Sequence, residues 1–277
     1  MVEYYAAEDI YSEDGILLVR KGKKLPKKVI AKLQRYGNFE LENLIISNSR
    51  LNKNQDSQQN NIIDTTIKTF RARKNVYSSF HLEQSSKILS TIIFESKTSP
   101  WWIHINTLGN YLDWLYTHSI DVAMISLMIA IELGYSDEEL FNMGLAALLH
   151  DIGKLLVPKS ILEKKEPLFD IEMSFIIQHC ELGVSSLEGF EFPEKYTDIV
   201  LQHHERLDGS GYPNGLKDRE ISSKAKIVII ADVADSITAF HPQSKPQNME
   251  VAIKELRDKP EKYPQDLVGL LEKILKS

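Results

Sequence analysis

The sequence has little cysteine, no long apolar run and no excess of positive charge, and each deficit excludes a class of protein. Cys180 is the only cysteine among 277 residues, so the chain cannot form an internal disulfide, which suits a reducing cytoplasm. The longest apolar runs, such as residues 122–131, are about half the roughly 20 residues that a membrane span requires. The start of the chain carries acids and tyrosines in place of the basic region and apolar core of a signal peptide. We therefore expect a cytoplasmic protein that does not cross a membrane.

The charge balance is acidic, with a formal net charge of −6 at pH 7. This balance argues against broad binding to nucleic-acid polymers or to anionic membranes. A small substrate that carries phosphate would instead need local positive charge, supplied by lysines, metals or backbone amides. Apolar residues at 43% and charged residues at 26% are typical of a soluble globular chain, long enough for one large domain with a small module.

Residues 1–46 are predicted to form a small α+β module. A short apolar strand at Ile16–Val19 is followed by a helical pattern at 27–36 and by a second candidate strand at 39–46. A regulatory or an oligomerising role fits such a module, and the latter would allow a homodimer. The segment 47–61 has a single clearly apolar residue and is predicted to be a flexible polar linker.

From residue 62 to 277 the apolar residues recur at helical spacing, which predicts an all-α domain with an N-terminal helical extension. Ser136 followed by Glu139 forms the capping-box pattern that starts a helix. The second half of 111–131 has almost no polar face, which predicts a central core helix. Helices are predicted at residues 111–131, 136–151, 170–186, 193–206, 222–240, 249–256 and 265–275.

Five of the eight histidines stand on apolar helical segments, often beside a carboxylate or another histidine. Any one of them alone is more often a hydrogen-bonded core residue than a metal ligand. Together, buried imidazoles and carboxylates are costly unless a cation satisfies them, and this mixture of donors suits iron, manganese or zinc rather than calcium. They exceed the ligands of one tetrahedral zinc, which favours at least two metals. The candidate ligands are His118, His150, Asp151, His179, His203, His204 and Asp232.

Two neighbouring ligands on a helix point about 100° apart, so His150 and Asp151 would reach different metals, or Asp151 would bridge them. Two metals roughly 3.5–4 Å apart clamp a phosphodiester and lower the pKa of a bridging water towards about 7. Lys154 would share the face of His150 and neutralise a phosphate oxygen. The alternative is a solvated lysine that interacts with the helix dipole.

Residues 208–215 read Asp-Gly-Ser-Gly-Tyr-Pro-Asn-Gly and predict a tight, irregular loop. Gly209 and Gly211 would let backbone amides approach an anion, and Tyr212 offers a face on which a base can stack. Alone, such a loop is usually only a turn. Next to two candidate ligands, the loop that opens with Asp208 is predicted to rim the substrate pocket.

The stretches His150-Asp151-Ile152-Gly153-Lys154 and HHERLDGSGYP, residues 203–213, resemble the HD-GYP branch of the HD phosphohydrolase superfamily, over roughly residues 110–257. The resemblance implies an HD-type helical bundle around a di- or tri-iron, or manganese, centre. It also implies hydrolysis of cyclic di-GMP to linear pGpG or GMP. By position it makes metal ligands of the seven residues above and gives catalytic roles to Asp151 and to Lys154, which matches a lysine near the substrate phosphate. Gly211, Tyr212 and Pro213 are the name-giving motif, which would also offer a surface to diguanylate cyclase domains.

This sequence departs from that family pattern in two places. Some members have a carboxylate four residues before the first histidine, and Trp114 at this position favours two metals over three. The Arg-Pro-Tyr stretch that helps hold guanine is replaced by His241-Pro242-Gln243, and His241 does not reproduce the fork of an arginine. Three hypotheses stay open: a cyclic di-GMP phosphodiesterase, a hydrolase of another cyclic dinucleotide, and a receptor or partner-binding module that retains the fold.

Overall fold

The computed structural model divides the chain into two compact units, Met1–Ile62 and Ile63–Ser277. The residues that it describes are 4–6, 10–11, 17–19, 23–26, 29–30, 45–47, 67–72, 74, 79–96, 102–188, 192, 194–239 and 245–276. The predicted linker therefore lies, except for its first residue, outside the described residues, as does His241.

The first unit contains two small antiparallel pairs of strands. Strand β1 (Tyr4–Ala6) pairs with β4 (Ile45–Ser47), and β2 (Ile10–Tyr11) pairs with β3 (Leu17–Val19). Ala6 and Leu25 are its buried apolar residues in the described part. The predicted first strand is present as β3, whereas of the predicted second strand only its last two residues are described, and they belong to β4.

The described residues of the second unit form helices and the loops between them, with no strand beyond the isolated bridge between Asp208 and Lys217, and the fold is the predicted all-α class. Residues 67–72 and 74 are helical and precede the first bounded helix. The α-helices are α1 (Ser79–Ser96), α2 (Trp102–Tyr111), α3 (Asp113–Glu132), α4 (Asp137–Leu148), α5 (Lys159–Leu162), α6 (Asp170–Ile177), α7 (His179–Leu187), α8 (Glu194–Gln202), α9 (Ser223–Thr238), α10 (Met249–Arg257) and α11 (Gln265–Lys276). Two 3-10 segments, Ile152–Leu156 and Asp218–Glu220, complete the described helical structure.

Helix α3 is the central element of this unit. It packs against α1, α2, α4, α9 and α11. By length and composition it would pass as a membrane span, but 72% of its apolar window is buried inside the molecule. Its lack of a polar face is therefore that of a core helix, as the sequence predicts.

Helix α4 begins as predicted, because the Ser136 hydroxyl accepts from the amide of Glu139 and the Glu139 carboxylate accepts from the amide of Ser136. Its predicted end was wrong. The α-helix stops at Leu148, so His150 and Asp151 lie in the turn that follows it.

Two other predicted helices are also interrupted near candidate ligands. The stretch 170–186 is divided by a turn at Gln178 into α6 and α7, and His179 is the first residue of α7. Helix α8 ends at Gln202, which leaves His203 and His204 in a turn. The unpredicted breaks therefore fall where the candidate ligands stand.

Candidate metal centre

All seven predicted ligands lie at one place in the helical unit. They form two groups, and within each group the ligand atoms lie within 4.8 Å of one another. The first group comes from α3, α9 and the turn after α4, and consists of His118, His150 and Asp232. The second comes from the turns after α4 and α8 and from the start of α7, and consists of Asp151, His179, His203 and His204. Of the seven, only His204 is more than marginally exposed.

Three of the histidines make the same hydrogen bond, from Nδ1 to the backbone carbonyl three residues before them. The Nδ1 atoms of His150 and His203 lie 2.7 Å from the carbonyl of Ala147 and 2.9 Å from that of Val200. His179 makes the same contact with the carbonyl three residues before it. The last carbonyls of a helix have no partner within the helix, so these rings satisfy them. A carbonyl only accepts, which places the proton on Nδ1 and leaves the lone pair of Nε2 directed at the centre.

The Nε2 atoms then face one another in pairs. His118 Nε2 lies 3.2 Å from His150 Nε2, and His179 Nε2 lies 3.2 Å from His203 Nε2. Two lone pairs at this distance repel unless a proton or a cation lies near both. The Oδ1 atom of the buried Asp151 carboxylate also has no hydrogen-bond partner among the described residues. The cluster therefore fits a divalent metal centre.

Asp151 stands between the two groups. Its Oδ2 atom lies 3.4 Å from Nε2 of His118 and 3.4 Å from Nε2 of His150. Its Oδ1 atom lies 3.2 Å from Nε2 of His179 and 3.6 Å from Nε2 of His203. One carboxylate thus faces both sets of nitrogen donors, the arrangement required of a bridging ligand.

Asp232 on α9 has a similar position. Its Oδ1 atom lies 3.3 Å from Nε2 of His118, and its Oδ2 atom lies 3.6 Å from Nδ1 of His204, which belongs to the other group. The two groups therefore share their carboxylates and form a single cluster of candidate metal ligands.

The electrostatics keep both kinds of donor in the form that binds metal. Burial alone would raise the pKa of the Asp151 carboxyl, but the Lys154 ammonium and hydrogen bonds from the surrounding imidazoles outweigh it and hold that pKa well below its usual range. Burial lowers the pKa of His203 to about 4. His118 differs, because the carboxylates around it outweigh burial and raise its pKa well above the usual value in the metal-free protein. A metal held by the first group would therefore compete with a proton for His118.

Lys154 lies in the 3-10 segment and not on α4, yet it reaches the centre. Its Nζ atom donates to Asp151 Oδ2 at 2.6 Å, and its side chain is 14% exposed. Burial alone would lower the pKa of Lys154, but the Asp151 carboxylate outweighs it and raises that pKa, so the ammonium stays charged. The solvated-lysine alternative is therefore wrong.

The glycine of the motif at residues 150–154, Gly153, has a steric explanation. A Cβ atom at this position would lie 1.9 Å from the carbonyl oxygen of His179 and 2.6 Å from the amide nitrogen of Gly183. Only glycine lets the 3-10 segment pack directly on α7, and this packing brings Asp151 towards His179.

The 208–215 loop lies against the second group. The Tyr212 ring is stacked at a tilt on the His204 ring, with centroids 4.7 Å apart, and Pro213 follows through a cis peptide bond. A Cβ atom on Gly211 would lie 2.4 Å from the Arg206 amide nitrogen, so no larger residue fits there without a shift of the loop.

Two of the predicted substrate-binding residues serve the loop itself. Gly209 has a φ of +82°, a left-handed conformation that glycine adopts without strain. Asp208 accepts from the amide of Ser210 at 2.9 Å, so its carboxylate is engaged within the loop.

Three buried residues that support the centre were not predicted from the sequence. The carboxylate of Glu205 accepts from the amides of Asn214 and Leu216 at 2.8 and 2.9 Å and so holds the loop. Asp235 contacts His118, and Lys74 contacts Asp235. Glu205 directly follows two candidate ligands, and Asp235 lies three residues after Asp232 on the same helix, so both had a signal in the sequence. Lys74 had none.

Comparisons with known proteins agree with this site. A family model described as "HD domain" matches residues 103–267. The "Cyclic di-GMP phosphodiesterase PA4108" of Pseudomonas aeruginosa is 37% identical over 53% of this chain and 36% of its own length. The "3'3'-cGAMP-specific phosphodiesterase 3" of Vibrio cholerae is 37% identical over 45% of this chain and 27% of its own length. The chain thus spans about a third of the length of these curated relatives.

One solved structure that resembles this chain is Bd1817, "a HDG"Y"P protein from Bdellovibrio bacteriovorus". The alignment covers 100% of this chain and 94% of that chain, with a TM-score of 0.54 and 19% identity. That likeness is one of fold alone. The family match, by contrast, spans more than half of the chain and includes every residue of both groups. The chain belongs to the HD-domain family and, by its paired motifs, to the HD-GYP type.

Proposed function

We propose that this chain is a phosphodiesterase that hydrolyses cyclic di-GMP at the centre formed by the two histidine groups. The observation that carries the proposal is the position of Asp151, whose two oxygens face the Nε2 atoms of both groups at 3.2–3.6 Å. We propose two divalent metals, iron or manganese, with Asp151 as their shared ligand. Trp114, one turn before His118 on α3, offers no carboxylate for a third. The proposed ligands are the seven residues of the two groups.

Metals held by these residues supply Lewis acidity towards a phosphodiester. The chain's own groups have separate roles. Lys154 holds Asp151 in place through a direct hydrogen bond and adds a fixed positive charge beside the centre, where a phosphate oxygen would approach. The backbone carbonyls bonded to the three Nδ1 atoms keep the rings from rotating.

The 208–215 loop is proposed as the substrate-facing rim. Tyr212 is half-buried against His204 and presents a ring beside the centre on which guanine could stack. His241 is proposed as a further base contact, and the loop also as a docking surface for diguanylate cyclase domains. Residues 1–46 are proposed as a regulatory or oligomerising module, 47–61 as its linker, and the cytoplasm as the location. Linear pGpG or GMP would be the product.

A second substrate is favoured by a specific observation. A relative with 37% identity is named a 3'3'-cGAMP-specific phosphodiesterase, and His241 stands where the family resemblance expects an arginine. Because a metal centre at this site would contact the phosphate and not the base, it would serve either dinucleotide. Base contacts at the rim would then decide between them.

The test is a substrate panel with the purified chain, loaded anaerobically with Fe²⁺ or Mn²⁺, and nucleotide products separated by chromatography. The proposal expects cyclic di-GMP to be cleaved with a higher kcat/KM than 3'3'-cGAMP. Preferential turnover of 3'3'-cGAMP would move the assignment to the second substrate. Binding of cyclic di-GMP without turnover at full metal occupancy would refute the enzyme and support a receptor.

A further inference from the structure

Lys74 is a fully buried lysine next to the metal centre. It lies in the helical residues before α1, outside the 103–267 match to the HD-domain family. Its side chain has 0% exposure. A buried ammonium is costly unless it is paired and hydrogen-bonded, so its contacts identify its role.

Among the described residues, the polar contacts of Lys74 lead to α3 and α9. Its ammonium donates to Oδ1 of Asp235 and, at 2.8 Å, to the hydroxyl of Thr238. It also lies 3.4 Å from Oδ2 of Asp121. Thr238 in turn donates to the carbonyl of Ala234 at 2.7 Å, so its oxygen is held in place to accept from Lys74.

The other oxygen of Asp235 completes a chain to the first metal group. Oδ2 accepts from Nδ1 of His118 at 2.6 Å. The order is therefore Lys74, Asp235, His118, with one carboxylate oxygen used on each side. A carboxylate on the far nitrogen of a metal-binding histidine fixes the ring and strengthens it as a ligand.

His118 differs in this respect from His150, His179 and His203. The Nδ1 atoms of His150, His179 and His203 are bonded to backbone carbonyls, which no side-chain substitution removes. Of these four histidines, only His118 has a side chain bonded to its Nδ1 atom, and that side chain is itself held by Lys74. A change at Lys74 therefore acts on the first group through His118 and reaches the second only through the carboxylates that the two groups share.

We propose that Lys74 is a positioning residue that sets the metal affinity of the first group through Asp235. The inference rests on the proposed function only in requiring a metal centre. It follows that the segment before the HD domain is part of the metal site, and that the family-matched residues alone do not complete it.

The experiment titrates Mn²⁺ into the metal-free full chain by calorimetry and follows it by electron paramagnetic resonance, which separates coupled from isolated ions. Lys74→Met removes the charge while it keeps the length of the side chain. We expect one Mn²⁺ to bind as in the wild type and the other about 10-fold more weakly or worse, with loss of the coupled signal. Leu271→Ala, at a buried residue of α11 that is not among the hydrogen-bond partners of Lys74, Asp235 or His118, is the control: it destabilises the fold and should still bind both ions.

Because Lys74→Met leaves the buried Asp235 carboxylate without its cation and can destabilise the fold, two further variants complete the test. Lys74→Met/Asp235→Asn removes both charges and should show the same weakened ion, whereas Lys74→Arg keeps the charge and should restore the coupled pair. Wild-type binding of both ions by Lys74→Met or by the double variant would overturn the inference.

The two proposals fail separately. A wild type that binds two coupled Mn²⁺ ions and cleaves no cyclic dinucleotide would refute the phosphodiesterase and leave the role of Lys74 standing. A wild type that cleaves the substrate, with a Lys74→Met variant that binds both ions unchanged, would refute the role of Lys74 alone.

Discussion

Glu205→Gln tests how the 208–215 loop is held against the centre. Both oxygens of Glu205 accept a backbone N–H, from Asn214 at 2.8 Å and from Leu216 at 2.9 Å, and the residue is 0% exposed. Glutamine fills the same volume but replaces one acceptor with an NH₂ donor. One of the two backbone N–H groups then loses its partner.

The expected cost is about 1–3 kcal/mol, the penalty for one unsatisfied buried donor. Since about 1.4 kcal/mol corresponds to a factor of ten, the exchange of the affected amide should accelerate by about 5- to 150-fold. The assay is amide hydrogen exchange of the full chain, resolved at Asn214 and Leu216. We expect the loss of protection to be confined to this loop, while the amides of α3 stay protected.

Glu220→Gln is the matched control, because Glu220 also accepts a backbone N–H, from Lys217 at 2.8 Å, but in an exposed position where water replaces the lost contact. Glu220→Gln should change the exchange rate of the Lys217 amide by less than a factor of about 5. Wild-type protection of both Asn214 and Leu216 in Glu205→Gln would refute the idea that this carboxylate holds the loop.

Three further predictions concern the centre. Gly153→Ala places a methyl group against the His179 carbonyl and should separate Asp151 from His179, so the purified variant should lose metal by elemental analysis while Gly269→Ala, at an open position, retains it. Burial lowers the pKa of His203 from 6.5 to about 4. Between these two pH values the unfolded chain therefore binds a proton at His203 that the folded chain does not. The stability of the metal-free protein should therefore fall as the pH drops from 6.5 to about 4, and a flat urea midpoint over this range would contradict it. Chelation should lower the melting temperature of the wild type, and re-addition of Mn²⁺ should restore it.

Local patterns predicted the elements, and the residues that cluster as candidate ligands, better than the helix ends. The Ser136–Glu139 capping box and the apolar stretch of α3 are local signals, and both structures form as expected. The helix breaks at His150, His179 and His203 were missed because these rings bond to the carbonyl three residues back, a contact that helical periodicity does not encode.

The contacts that support the ligands were the hardest to predict. Asp235 and Glu205 stand near the motifs, yet their partners are set by packing between distant segments. Lys74 is 161 residues from Asp235, and a lysine in a polar stretch is ordinarily solvated. Only the three-dimensional structure identifies it as a neighbour of the centre.

The central claim is that Asp151 joins the two histidine groups into one hydrolytic metal centre. The most direct measurement compares wild type and Asp151→Asn for bound metal and for anaerobic cyclic di-GMP hydrolysis in the same preparations. The account predicts that Asp151→Asn loses turnover together with at least one of the metals. A variant that keeps both metals and hydrolyses cyclic di-GMP at the wild-type rate would contradict it.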